Sequence, residues 1–154
     1  VGGSPIDSWK PGEYYAATKT HPWDDTMKRA GVALKSGSLK GILWHQGESD
    51  ASEKLAPGYE QKLHDLIALF RKELNAPAVP FIVGQMGQFE GGAWSDAKKT
   101  VDEAHQNLPG KVAHTAFVGS AGLKDKGDKT HFDAAPYREF GKRYAEAYLK
   151  VAKP

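Results

Sequence analysis

The stretch Lys40-Gly41-Ile42-Leu43-Trp44-His45-Gln46-Gly47-Glu48-Ser49-Asp50 decides how the rest of the chain is read. Three large apolar residues, Ile42-Leu43-Trp44, run without alternation and then give way at once to polar and small ones. An unbroken apolar run of this kind predicts a strand covered on both faces, as in a parallel sheet with helices above and below. The polar residues that follow fall at the carboxyl end of that strand, where open parallel sheets bind their ligands. Polar groups there need partners, and a site at the sheet edge supplies them. The competing reading is an ordinary strand end, with Glu48 or Asp50 capping something local.

Working outward, Phe81-Ile82-Val83 repeats the same unbroken apolar signal. Strands are predicted over 39–46, 79–85 and 112–118, and Val1 reads as the tail of a further strand. Helical spacing fills the intervals. Tyr59, Leu63, Leu66, Ile67, Phe70 and Leu74 share one face of a helix over 57–74, stopped by Asn75 and Pro77. Trp94, Ala97, Val101, Ala104 and Leu108 do so over 94–108, stopped by Pro109-Gly110. Tyr137, Phe140, Tyr144, Ala147, Tyr148 and Val151 form the buried stripe of a helix over 133–152, with Asp133 as its cap. A weaker pattern with Trp23, Met27, Ala30 and Leu34 marks a helix over 22–35. Strand–helix alternation argues for an α/β fold, a parallel sheet with helices on both sides.

Composition bounds the function. The 154 residues suit one domain, and 40% hydrophobic with 10% aromatic content is enough for a real core. The absence of cysteine excludes a disulfide scaffold, thiolate zinc sites and a cysteine nucleophile. A net charge of +2, with both signs mixed, gives no basic field for nucleic acid. No run approaches the ~18 apolar residues of a membrane span. The opening Val1-Gly2-Gly3-Ser4 is neither a start nor a targeting segment, which suggests trimming, processing or truncation.

Two further segments carry possible chemistry. In Lys126-Gly127-Asp128-Lys129-Thr130-His131-Phe132-Asp133 a carboxylate precedes a histidine by three residues, just ahead of a helix. A short loop can bring Asp128 onto one imidazole nitrogen of His131, leaving the other free as a general base. The plain alternative is a solvated charged loop. In Gly2-Gly3-Ser4-Pro5, two glycines allow the backbone to approach an anion or oxyanion closely, although a simple turn has the same sequence. The six histidines show no metal spacing, and His64 and His105 are expected to be surface or packing residues. No phosphate-binding, dinucleotide or G-x-S-x-G signature is present, and no cofactor is implied.

Taken together, the segments resemble the sialate O-acetylesterase and acetylxylan esterase group (carbohydrate esterase family 6-like) of the SGNH hydrolases. The stretch from Gly41 to Asp50 resembles that group's signature, and Val1 to Trp9 its second block. Pro80 to Gln85, Trp94 and Glu103-Ala-His-Gln106 resemble its middle segments, and Asp128-Lys-Thr-His131 with Gly141-Lys-Arg-Tyr144 its last block.

The resemblance implies a three-layer α/β/α sandwich of flavodoxin-like type, acting on acetylated carbohydrate. His131 matches the catalytic base and Asp128 its supporting acid, with Glu48 a contender for that second role. Gln46, with the backbone of Gly2 or Gly3, matches the oxyanion hole. The family's nucleophilic serine sits in a Gly-Gln-Ser-Asn block that this sequence lacks. The resemblance therefore implies a carboxyl-terminal portion, entered at the second block, with an amino-terminal segment or subunit as the possible source of the nucleophile. Recruitment of Ser4 or Ser49, or a purely carbohydrate-binding role, are the alternatives. Secretion or a periplasmic location is implied by the family alone. Trp9, Trp23, Trp44 and Trp94 either stack on sugar rings or pack the core.

Overall fold

The computed structural model of the chain describes residues 2–152, so the strand tail expected at Val1 lies outside the described residues. The order is α1 (Pro22–Ala33), β1 (Ile42–Trp44), α2 (Tyr59–Glu73), β2 (Phe81–Gly84), α3 (Asp96–Lys111), β3 (Thr115–Val118) and α4 (Ala134–Val151). The strands form one parallel sheet in the order β1-β2-β3, with Ile42 opposite Phe81 and Phe81 opposite Thr115.

Period-two alternation along β2 sorts the core into two layers. Phe81 and Val83 join Trp44 and the stripes of α2 and α3. Ile82 points the other way, into a cluster with Val118, Phe132, and Phe140 and Tyr144 of α4. The sheet is thus sandwiched between α2 and α3 on one side and α4 on the other, the three-layer arrangement expected. Helix starts follow their side chains: Ser95 accepts from the Lys98 N–H ahead of α3, and Asp133 accepts from the Ala134 N–H ahead of α4.

Three expectations need correction. First, the strands are shorter than the ranges 39–46, 79–85 and 112–118, because parallel pairing is confined to Ile42–Trp44, Phe81–Gly84 and Thr115–Val118. Second, α3 does not stop at Pro109-Gly110 but continues to Lys111. Leu108, fully buried, holds the turn in place; the Val112 N–H donates to its carbonyl at 2.9 Å, and Lys111 pairs with Glu60 of α2 at 2.6 Å.

Third, β1 is not covered on both faces. Every residue of β2 is buried, whereas Leu43 in mid-β1 is 63% exposed. Leu43 faces the α4 side with Ile82, but α4 rests mainly on β2 and β3. At its amino end α4 overhangs the sheet, which leaves Tyr137, expected in the buried stripe, 54% exposed. An apolar groove of about 500 Å³ lies between Leu43 and Tyr137, Phe140, Tyr144 and Tyr148. Tyr144 closes one wall by donating its hydroxyl hydrogen to the Trp44 carbonyl at 2.8 Å. That approach is why residue 84 is glycine: a Cβ there would lie 1.9 Å from the Tyr144 hydroxyl.

Candidate active site

Two constructions stand at the carboxyl ends of the strands. The first is the turn after β1. Gly47 has φ 149°, which L side chains rarely adopt, and a Cβ there would meet Met86 and Val101 at 2.9 Å and His105 at 3.2 Å. The glycine lets the chain fold back tightly against α3, which throws Gln46 sideways across the sheet end. The Gln46 Nε2 donates to the Ser4 carbonyl at 3.0 Å and to Asp50 Oδ2 at 2.5 Å. Its Oε1 accepts from the Tyr59 hydroxyl at 2.9 Å. Asp50 Oδ2 also accepts from the Ile6 N–H at 2.8 Å, and burial pushes this carboxyl above its ordinary range.

The glycine block is tied to the same turn. The Gly3 carbonyl accepts from the Ser49 hydroxyl at 2.7 Å and from the Tyr15 hydroxyl at 2.6 Å. Gly3 itself sits at φ 66°, in the left-handed region. Ser4 is buried and its hydroxyl accepts from the Trp9 indole N–H at 2.9 Å. The structure therefore brings Gly3, Ser4, Gln46, Ser49 and Asp50 together. Both serine hydroxyls are engaged in bracing this corner.

The second construction is the loop before α4. Asp128 Oδ2 lies 2.8 Å from His131 Nδ1, and Oδ1 accepts from the His131 N–H at 2.8 Å and the Thr130 N–H at 3.0 Å. The His131 backbone N–H, then its imidazole, hold the Asp128 carboxyl well below the usual carboxylate range. With Nδ1 directed at the carboxylate, His131 Nε2 is left for other chemistry, and its side chain is 66% exposed. Phe132 anchors the loop by packing against His45, Phe89 and Phe140, with ring centroids 5.8, 5.0 and 5.1 Å apart. His45 directly precedes Gln46, so this ring cluster connects the two constructions. No direct hydrogen bond joins His131 to Gln46 among the described residues. Glu48 is exposed and makes no hydrogen bond or ion pair to His131, whereas Asp128 makes two hydrogen bonds.

Beside the His131 loop lies a cavity of about 350 Å³ lined by Phe89, Trp94, Lys98 and Lys129 among others. Trp94 is only half-buried there, while Trp23 and Trp44 belong to the core and Trp9 packs edge-on against Trp44. Gln85, at the end of β2, turns inward. Its Oε1 accepts from the Ser120 N–H at 2.8 Å and its Nε2 donates to Asp102 at 3.0 Å, which clamps the loops after β2 and β3 to α3.

Sequence reasoning missed Tyr59, Asp102 and His105. His105, expected to be a surface or packing residue, is fully buried with its Nε2 2.9 Å from the Tyr59 hydroxyl. Burial, with a smaller contribution from His45, pushes its imidazole down to about 3, so it is neutral. The periodicity places residue 105 next to the Val101 and Leu108 stripe; that adjacency was the available signal.

The family described as carbohydrate esterase, sialic acid-specific acetylesterase matches residues 1–150. A probable carbohydrate esterase of Arabidopsis thaliana is 32% identical over 150 residues, covering 96% of this chain and 52% of the relative. An X-ray structure of an Arabidopsis thaliana protein superimposes with a TM-score of 0.81 at 28% identity, over 97% of this chain and 58% of that one. A carbohydrate acetylesterase of Xanthomonas citri gives 0.70 at 23% identity, over 98% and 35%. NanS gives 0.64 at 19%, over 86% and 53%. The last two show a shared fold. The chain spans about half the length of the Arabidopsis relative it matches.

Proposed function

The chain belongs to the carbohydrate esterase family of sialic acid-specific acetylesterases, and from that premise we propose that it carries the acid–base and oxyanion half of an O-acetylesterase site. The observation that carries the reading is the Asp128–His131 pair, with one carboxylate oxygen 2.8 Å from Nδ1 and the free Nε2 at the carboxyl end of the sheet. In the proposed reaction a serine hydroxyl attacks the acetyl carbonyl of an acetylated sugar while His131 Nε2 takes its proton. Asp128 holds the tautomer and stabilises the imidazolium. The charge growing on the acyl oxygen is met by a Gln46 N–H turned from the Ser4 carbonyl and by the Gly2 or Gly3 backbone N–H. His131 returns the proton to the departing sugar oxygen. Water then attacks the acetyl-enzyme by the same route, giving acetate and free serine.

The nucleophile in this reading comes from polypeptide outside these 154 residues, on an amino-terminal segment or a separate subunit. Two observations support it. The relatives are longer, with 52% and 58% of the Arabidopsis proteins covered. Among the described residues β1 pairs only with β2, so its other edge is open to a further strand. The runner-up reading is a non-catalytic or carbohydrate-binding piece; the half-buried Trp94 beside Lys98 and Lys129 favours it.

The test is hydrolysis of p-nitrophenyl acetate by the native gene product, with its intact mass and reading frame determined. Activity that disappears in His131→Ala supports the esterase reading. Full activity in that variant removes His131 from the reaction, and no activity in the native product favours the binding reading.

A further inference from the structure

The Gln46 amide is held by a buried hydrogen-bond chain whose direction is fixed by chemistry. Its Nε2 faces two oxygens, the Ser4 carbonyl and Asp50 Oδ2, and a carbonyl oxygen can only accept. The amide NH2 must therefore lie on that side, and Oε1 must face Tyr59. Oε1 accepts only, so the single hydroxyl hydrogen of Tyr59 goes to it across 2.9 Å. The Tyr59 oxygen is then an acceptor toward His105 Nε2, also at 2.9 Å, and that nitrogen must carry the hydrogen. His105 Nδ1 is left bare, and this buried nitrogen has no hydrogen-bond partner. A bare acceptor costs less there than an orphaned N–H. Tyr59 and His105 are both fully buried, so water does not scramble the direction. A Cβ at Gly47 would lie 3.2 Å from the imidazole Cε1, so only glycine fits beside the ring.

We propose that His105, acting through the Tyr59 hydroxyl, is a positioning residue that anchors the Oε1 end of the Gln46 amide, so that its N–H groups stay at the Gly3–Ser4 corner of the site. Without that chain Oε1 loses its donor, and the amide, held only through its NH2, can swing away from the Gly3–Ser4 corner. The geometric claim stands by itself; its catalytic consequence rests on the esterase reading above.

Nitrogen NMR on the native gene product tests the geometry. Long-range proton–nitrogen correlations of the imidazoles should show His105 as the Nε2–H tautomer, still neutral at pH 5, with His45, Tyr59 and Asp50 as the titratable groups around it. An Nδ1–H tautomer, or an imidazolium at pH 5, overturns the proposal. Kinetics on the native gene product tests the consequence. His105→Leu should lower kcat for p-nitrophenyl acetate about tenfold with KM unchanged, a fraction of the loss expected for an oxyanion donor. His105→Gln, whose side-chain NH2 can donate to Tyr59, should recover most of it. Equal kcat in all three overturns the positioning role. A native product without esterase activity whose His105 shows the expected tautomer sinks the esterase reading alone.

Discussion

The His131 loop and the Gln46 turn do comparable work by opposite means. The loop is local: its carboxylate lies three residues from its imidazole, both are exposed, and the hold is a charge beside a ring. The turn is assembled from afar. Gln46 is fixed by Ser4, 42 residues before it, and by Tyr59, 13 after it, and Tyr59 in turn by His105, a further 46 along. These anchors are buried, and those that fix the amide oxygen are neutral. A histidine with one ring nitrogen free can thus be oriented at the surface by a short loop, whereas aiming a neutral amide needs packed neighbours that exclude water.

The comparison breaks most readily at its exposed end. In the native gene product, His131→Ala should lower kcat/KM for p-nitrophenyl acetate by about ten-thousand-fold or more, with a melting temperature close to the parent's. Asp128→Asn should cost hundreds- to ten-thousand-fold, through the wrong tautomer, while Glu48→Gln changes the rate by less than about threefold. If Glu48→Gln is the damaging change, the supporting acid has been misassigned.

The buried end should fail through stability instead. Tyr59→Phe leaves Gln46 Oε1 and His105 Nε2 without their partner, a loss of about 1–3 kcal/mol readable by urea denaturation of the chain. The pH dependence follows from His105. Its folded value of about 3 lies below the 6.5 of the unfolded chain, so the unfolded state binds the extra proton between those limits. Stability should therefore decline as pH falls below about 6.5, by up to about 1.4 kcal/mol per pH unit, levelling only near 3. Asp128, held low, adds a further loss in the same direction as pH falls below the ordinary carboxylate range. His105→Gln should flatten the part above pH 5, and an unchanged acid profile would show that the imidazole is not the group responsible. The smallest effect belongs to the sheet edge: Leu43→Ser in the isolated chain should stay within about 0.5 kcal/mol, because the side chain is already exposed.

What the sequence discloses follows the same division. The unbroken apolar runs at Ile42-Leu43-Trp44 and Phe81-Ile82-Val83 disclose a parallel sheet, and helical stripes disclose its cover. Asp128 and His131 are legible because their spacing is their geometry. Tyr59 and His105 read as members of apolar stripes, since nothing local distinguishes a packed ring from one that also donates a hydrogen bond. Leu43 misleads for a related reason: an apolar run states what a strand is suited to, not which neighbours lie along it. Pro109 reads as a stop because local preference opposes a helix there, and the buried Leu108 with the Lys111–Glu60 pair overrides it.

The most direct measurement of the central claim, that the two constructions serve one acyl group, is a crystal structure of the native gene product after reaction with a fluorophosphonate. The account predicts a serine adduct whose phosphonyl oxygen lies about 2.7–3.1 Å from the Gln46 amide and a Gly2 or Gly3 N–H, with His131 Nε2 beside the serine oxygen. No adduct, or one in which His131 and Gln46 point into separate clefts, would contradict it.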